Sequence, residues 1–176
     1  MHQLPKTWKA IALKDLSREF HGFDDWVLCG GFSIELLTEK SIRSHGDVDI
    51  GVFRSQVENC LTVLGKDRVY LCRDQSHHRW DGRQIPPEVH DIWVTDKSHN
   101  YWSFQIMVFD DTQDNVIYRR NPKISWAKKH HSRDFGWIKV LNPYVTFLFK
   151  ANKFQMEDKD IQDIMLLIVN GAEQNT

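Results

Sequence analysis

The chain reads as an α+β domain, and three features of its pattern predict that class. Short stretches of period-two alternation are interspersed with amphipathic stretches of helical period. A polar turn joins two alternating runs as a hairpin, and the C-terminal part is helical. With 176 residues the chain is most simply one domain with a real core. Residues 1–140 are expected to form an α/β core with an N-terminal helix, and 141–176 the C-terminal helices.

The elements follow in order. Trp8, Ile11, Ala12, Leu16 and Phe20 recur at helical spacing and predict a first amphipathic helix closed near Gly22. Trp26 to Cys29 is a short strand, and Phe32 to Leu37 a helix launched from Gly30-Gly31. Ser44-His45-Gly46-Asp47-Val48-Asp49-Ile50-Gly51 leads into a strand, with Val48, Ile50 and Val52 packing one face. Ser55 and Glu58 form a capping box for a helix with Val57, Cys60, Leu61 and Leu64 inward. Arg68 to Cys72 is another strand. Glu88 to Asp110 forms a hairpin about Asp96-Lys97-Ser98-His99-Asn100. Symmetry about Ser98 sets Asp91 opposite Gln105, with Ile92, Val94, Trp102 and Phe104 on the apolar face. Asp91, Ser103 and Gln105 then share the other. Asn142-Pro143 caps a helix with Val145, Leu148 and Phe149 inward. Ile161, Ile164, Met165 and Ile168 form the buried stripe of a last helix ended by Gly171.

Composition narrows the function. A formal net charge of -1 lacks the basic surplus of a dedicated nucleic-acid binder. No apolar run is long enough to cross a bilayer, and no signal-peptide core is present, so a cytoplasmic location without membrane contact is expected. Cys29, Cys60 and Cys72 are scattered and read as thiols of a reducing compartment. His77-His78 and His130-His131 are adjacent pairs that diverge on regular structure, and no zinc spacing occurs. Lys128-Lys129-His130-His131-Ser132-Arg133 reads as a solvated loop.

The chemistry concentrates in Asp47 and Asp49. Positions i and i+2 of a strand share a face, so the two carboxylates repel unless a cation sits between them. Upstream, Gly30-Gly31 lets backbone approach a ligand such as phosphate. The two pieces together point to a divalent metal and a nucleoside triphosphate.

Trp26-Val-Leu-Cys-Gly-Gly31-Phe-Ser-Ile-Glu-Leu37 and Arg43-Ser-His45-Gly-Asp47-Val-Asp49-Ile-Gly-Val-Phe-Arg54 resemble the aminoglycoside and lincosamide nucleotidyltransferases, in particular the aminoglycoside 2''-adenylyltransferase-like family. Tyr118-Arg119-Arg120, Leu148-Phe149-Lys150-Ala151 and Lys159-Asp160-Ile-Gln-Asp163 extend the likeness over roughly Asp24 to Ile168. The resemblance implies a small mixed sheet of the DNA polymerase beta type with flanking helices and a C-terminal helical part. It further implies ATP or another NTP as co-substrate, one or two Mg2+ ions held by Asp47 and Asp49, and a small hydroxyl-bearing acceptor such as an aminoglycoside-like antibiotic. A nucleoside monophosphate, AMP from ATP, would move to the hydroxyl with release of pyrophosphate. A homodimer is left open.

Gly30, Gly31, Ser33, Arg43, His45 and Lys150 are then the nucleotide-binding candidates. Backbone N–H groups and the Ser33 hydroxyl would face phosphate, Arg43 and Lys150 would balance charge on the pyrophosphate, and His45 would sit beside it or shape the turn. One departure stands out. Where the family's third carboxylate falls, this chain has Phe104-Gln105-Ile106, and an amide cannot take the acceptor's proton. Asp91 is the substitute proton acceptor, with Asp110 second. Loss of that acid keeps open a non-catalytic nucleotide-binding homologue. A toxin–antitoxin-type transferase acting on protein or RNA is a further alternative.

Overall fold

A computed structural model describes residues 3–173. Its frame is an eight-stranded mixed sheet with spatial order β4-β3-β5-β6-β2-β1-β10-β9. The strands are β1 (Trp26–Cys29), β2 (Asp49–Phe53), β3 (Val69–Arg73), β4 (Ser76–Arg79), β5 (Asp91–Thr95), β6 (Trp102–Phe109), β9 (Ser132–Asp134) and β10 (Lys139–Leu141). A separate ribbon pairs β7 (Asn115–Ile117) with β8 (Ser125–Ala127). The helices are α1 (Leu16–Glu19), α2 (Gly30–Thr38), α3 (Val57–Leu64), α4 (Pro143–Ala151) and α5 (Asp158–Glu173). The α+β class holds, with a sheet larger than the expected small one. Among the described residues no helix is long and apolar enough to cross a membrane.

Alternation along the central strands separates two faces. One carries Leu28, Ile50, Val52, Ile92, Val94, Phe104 and Ile106, all buried in the main core with Leu16, Phe20, Ile34 and the inward residues of α3. The other begins as a smaller apolar cluster, Val27, Cys29, Phe109, Val116, Leu141 and Val145, under α4. It continues across the sheet into polar side chains, and those form the candidate site.

Several expectations are corrected. The N-terminal helix shrinks to a short 3-10 turn (Leu13–Asp15) and the single turn α1. Trp8 instead bridges Trp102, and Lys9 N–H donates to the Trp102 carbonyl at 2.9 Å, so this segment extends the sheet. An unpaired stretch of β6 backbone competes successfully with a weakly propagating helix. The capping box does not form: the Ser55 hydroxyl donates to Asp111, and Glu58 accepts the Ile85 N–H at 3.0 Å. Lys128 to Arg133 is not a free loop. Lys128 pairs with Asp111 at 2.6 Å, His131 is buried, and the run feeds β9.

The hairpin register is also shifted. Asp91 pairs with Met107, and Trp93 with Gln105, a shift of two residues: one is taken up at the turn, where Thr95 pairs with Trp102, and one at a bulge between Val94 and Thr95. The shift is even, so Asp91 and Gln105 keep their common face. Beyond the bulge Trp102 joins Trp93, with ring centroids 5.2 Å apart, instead of the apolar side expected for it.

The last helix is turned about its axis. Ile161, Met165 and Ile168 are exposed, whereas Asp160 and Asp163 are buried. Gly171 does not end it, since α5 continues to Glu173. The cap of α4 is as read: Asn142 Oδ1 accepts the Tyr144 N–H at 3.0 Å, with Pro143 in the first turn.

Candidate active site

Chain reversal at Cys29 builds the floor of the site. β1 runs straight into α2, whose first residue Gly30 has φ +65, a conformation that favours glycine. A Cβ there would lie 2.0 Å from Asp49 Oδ2. The Asp49 carboxylate therefore rests on Gly30, against the positive end of α2. At Gly31 a Cβ would meet the His45 ring at 2.2 Å. The glycine pair is what lets Asp49 and His45 close over this turn. Ser33 is fully buried and its hydroxyl donates to the Gly30 carbonyl at 2.7 Å, bracing the turn from within.

Across the sheet, Cys29, Asp49, Gln105 and Trp93 lie in one row. Asp91 stands one same-face step further, and Gln105 Nε2 donates to Asp91 Oδ1 at 3.1 Å. Gln105 thus links the two acids. Asp47 precedes the strand, two residues before Asp49, and is exposed. Burial, then the charge of Asp47, raises the Asp49 carboxyl to about 6; Lys150 opposes, Asp91 adds to the rise, and Lys153 opposes. These four groups all act electrostatically on Asp49.

Asp110 is excluded as a partner. It lies past the Phe53–Phe109 rung, at the far end of β6 from Gln105, where it binds Arg54 at 2.9 Å and His90 at 3.0 Å. Against the upward push of burial, those hydrogen bonds hold its carboxyl below the usual range.

Cations close the other side. Arg43 reaches Asp163 at 3.0 Å, and Lys150 reaches the same carboxylate oxygen at 2.7 Å. Lys153 binds Asp160 at 2.7 Å. Sequence reasoning gave Asp160 and Asp163 no role beyond the likeness they carry and did not single out Lys153. The i, i+3 spacing of the two acids, following Lys150 at the end of the preceding helix and Lys153 just after it, is the signal that could have found them. His45 lies 2.9 Å from Glu35 and packs on Phe32 with ring centroids 4.5 Å apart, so it shapes the turn. Arg120 caps α4 by donating to the carbonyls of Phe149 and Asn152 at 2.8 and 2.9 Å.

Beside Asp91 and Gln105 opens a groove of about 390 Å³ lined by Cys72, Arg73, Gln75, His77 and Trp93. His77 packs at a tilt against Trp93 with centroids 4.3 Å apart, and burial, then His78, lowers its pKa. Burial, then Asp91, pushes the Cys72 thiol up to about 12, so it stays protonated.

The overall fold is similar to that of a solved structure. The crystal structure of the lincosamide antibiotic adenylyltransferase LnuA, lincomycin-bound, superposes with a TM-score of 0.59 over 90% of this chain and 98% of that one. The fold is similar to that of this adenylyltransferase. Identity to that neighbour is 16%, so the likeness speaks for the fold alone. No protein-family model and no curated protein sequence matches the chain.

Proposed function

We propose that this protein is a magnesium-dependent nucleotidyltransferase that moves AMP from ATP to a hydroxyl of a small molecule and releases pyrophosphate. The observation that carries the reading is the row on the open sheet face: Asp49 seated on Gly30, Gln105 beside it, and Asp91 hydrogen-bonded to Gln105. The donor chemistry fits the metal. Asp49 is held half-buried beside Asp47, which raises its carboxyl, and hard carboxylate oxygens suit magnesium. Among the described residues no three of His, Cys, Asp and Glu gather as a complete metal cage. Asp47 and Asp49 would hold the ion, with remaining positions left to phosphate oxygens and water. Bound there, magnesium would supply charge neutralisation at the α-phosphate and the attacking oxygen.

The chain's own groups do the rest. Gly30 and Gly31 keep Cβ atoms out of the turn, so backbone can approach the phosphates. Arg43 and Lys150 offset charge on the leaving pyrophosphate. We assign Asp91 to accept the acceptor hydroxyl's proton as the new oxygen–phosphorus bond forms and the bond to pyrophosphate breaks. Gln105 orients that carboxylate by its hydrogen bond. The groove at His77 and Trp93 is where the body of the acceptor would lie. Lincomycin, present in the solved neighbour, and aminoglycosides are the first acceptors to try.

The test is a pyrophosphate-release assay with ATP, magnesium and a panel of hydroxylated antibiotics and sugars. Asp47→Asn and Asp49→Asn should each lower turnover by about a thousandfold or more while leaving the fold intact. Asp91→Asn should cost far more rate than Gln105→Ala. Wild-type turnover in both Asp47 and Asp49 variants would remove this reading. A neutral amide beside Asp49 favours a second reading, a homologue that binds nucleotide without transfer; ATP binding with no turnover on any acceptor would establish it.

A further inference from the structure

Beneath the cations of the site lie two acids the proposed reaction does not use. Asp160 and Asp163 are 0% and 2% exposed, one turn apart on α5. Asp163 Oδ2 receives both Arg43 (3.0 Å), from the loop before β2, and Lys150 (2.7 Å), from α4. Asp160 receives Lys153 on both oxygens (2.7 and 2.8 Å), the Glu157 N–H at 3.2 Å, and Lys150 at 3.5 Å. The acids are at the bottom and the cations at the rim: the side chains of Lys150, Arg43 and Lys153 are 14%, 24% and 36% exposed. Three cations face two carboxylates, which leaves one positive charge in excess beside Asp49.

This arrangement is an expensive way to dock a helix. Buried ion pairs seldom stabilise more than apolar packing of the same volume. Yet α5 turns Ile161, Met165 and Ile168 to solvent and puts charge inward. Of the groups so held, Lys150 and Lys153 are those whose charge reaches Asp49, the carboxylate seated on the glycine turn, and Arg43 lies against Gly31 of the same turn.

We propose that Asp160 and Asp163 are positioning residues that hold Arg43, Lys150 and Lys153 as a preassembled cationic wall for the polyphosphate of the nucleotide, and that Lys153 is a further phosphate contact. The inference rests on the nucleotidyltransferase reading. Long lysine and arginine side chains lose rotamer freedom when they clamp an anion. Two buried carboxylates remove that loss before the nucleotide arrives, and fix the cations at the rim.

Charge alone and positioning predict opposite signs. Asp163→Asn makes the site more positive, so simple attraction would tighten triphosphate binding. If Asp163 positions the cations, binding weakens instead. Calorimetry on the full chain with magnesium should compare α,β-methylene-ATP with AMP, which lacks the β- and γ-phosphates. Asp163→Asn and Asp160→Asn should each weaken the triphosphate analogue about tenfold, the scale of one charge-assisted contact, and leave AMP unchanged. Asp163→Glu should recover part of the loss. Equal or tighter triphosphate binding, or an equal loss for AMP, overturns the proposal. If the acid variants fail to fold by circular dichroism, Lys153→Gln gives the same readout: selective loss for the triphosphate supports the wall, and unchanged affinity overturns it. Failure of the wild type to bind the analogue would instead sink the nucleotidyltransferase reading, and the wall with it.

Discussion

At the scale of single residues, Asp49 and His131 pull the stability of the protein in opposite directions. The Asp49 carboxyl is raised from 3.8 to about 6, by burial first and then Asp47. The folded state therefore holds a proton that the unfolded chain releases. Stability falls as pH climbs from about 4 to about 6, and the loss persists above that window. Buried His131 is lowered from 6.5 to about 4, and its Nδ1 accepts the Trp126 Nε1–H at 3.1 Å, which requires a neutral ring. Its contribution is present above 6.5 and is lost as pH falls through about 4. Over the overlap the two trends offset one another. Asp49→Asn should raise metal-free stability at pH 7 by on the order of 2 kcal/mol. It should also uncover the histidine, so that the variant weakens more steeply than wild type between pH 6.5 and 4. Urea melts across that range would show it; a variant no more stable than wild type at pH 7 would mean Asp49 is not held against its own charge.

At the scale of elements, α5 is the instructive one. Its apolar residues at 161, 164, 165 and 168 make a persuasive inward stripe in the sequence, yet the inward face is Asp160, Asp163 and Leu167. The charges of Arg43, Lys150 and Lys153 fix the helix rotation, because a buried carboxylate with two cations cannot be traded for a solvated one without stranding all three. Two substitutions separate the faces. Met165→Glu should change stability by less than about 0.5 kcal/mol, since the side chain faces water. Leu167→Ala should cost roughly 2–3 kcal/mol through an unfilled core position. Reversed magnitudes in denaturant melts would show the helix rotated the other way. The Val94–Thr95 bulge makes a similar point: it moves Trp102 to the site face while leaving Asp91 and Gln105 together.

At the scale of the whole molecule, a few long-range ties set the frame on which the site rests. Arg68 joins α1 to the β3–β5 side of the sheet, donating to Glu19 at 2.8 Å and twice to the Thr95 carbonyl at 3.0 and 2.8 Å. The pair is nearly buried, so removing one partner strands the other. Arg68→Ala should lower stability by about 3 kcal/mol. Because the residue lies apart from the Asp49–Gln105–Asp91 row, triphosphate affinity at a temperature where the variant is folded should match wild type. A stability change under about 1 kcal/mol would show Glu19 finding water or Lys97 instead.

What the sequence determined by itself is local chemistry and local period. Val48, Ile50 and Val52 announce a buried strand, Asn142-Pro143 announces the start of a helix, and Gly30-Gly31 marks a turn where something approaches closely. The spacing of Asp47 and Asp49 marks a place where negative charge accumulates. Tertiary structure alone decided which partners these local pieces found. It drew Trp8 out of a helix and onto the exposed backbone of β6. It paired polar Ser76–Arg79 with β3, and it gave the short segments β7 to β10 their strand character. It also turned α5 so that Asp160 and Asp163 grip the cations. The physical reason is common to these cases: hydrophobic period reports how a segment would bury itself alone, whereas unpaired backbone and buried charge are satisfied only by groups far away in the chain.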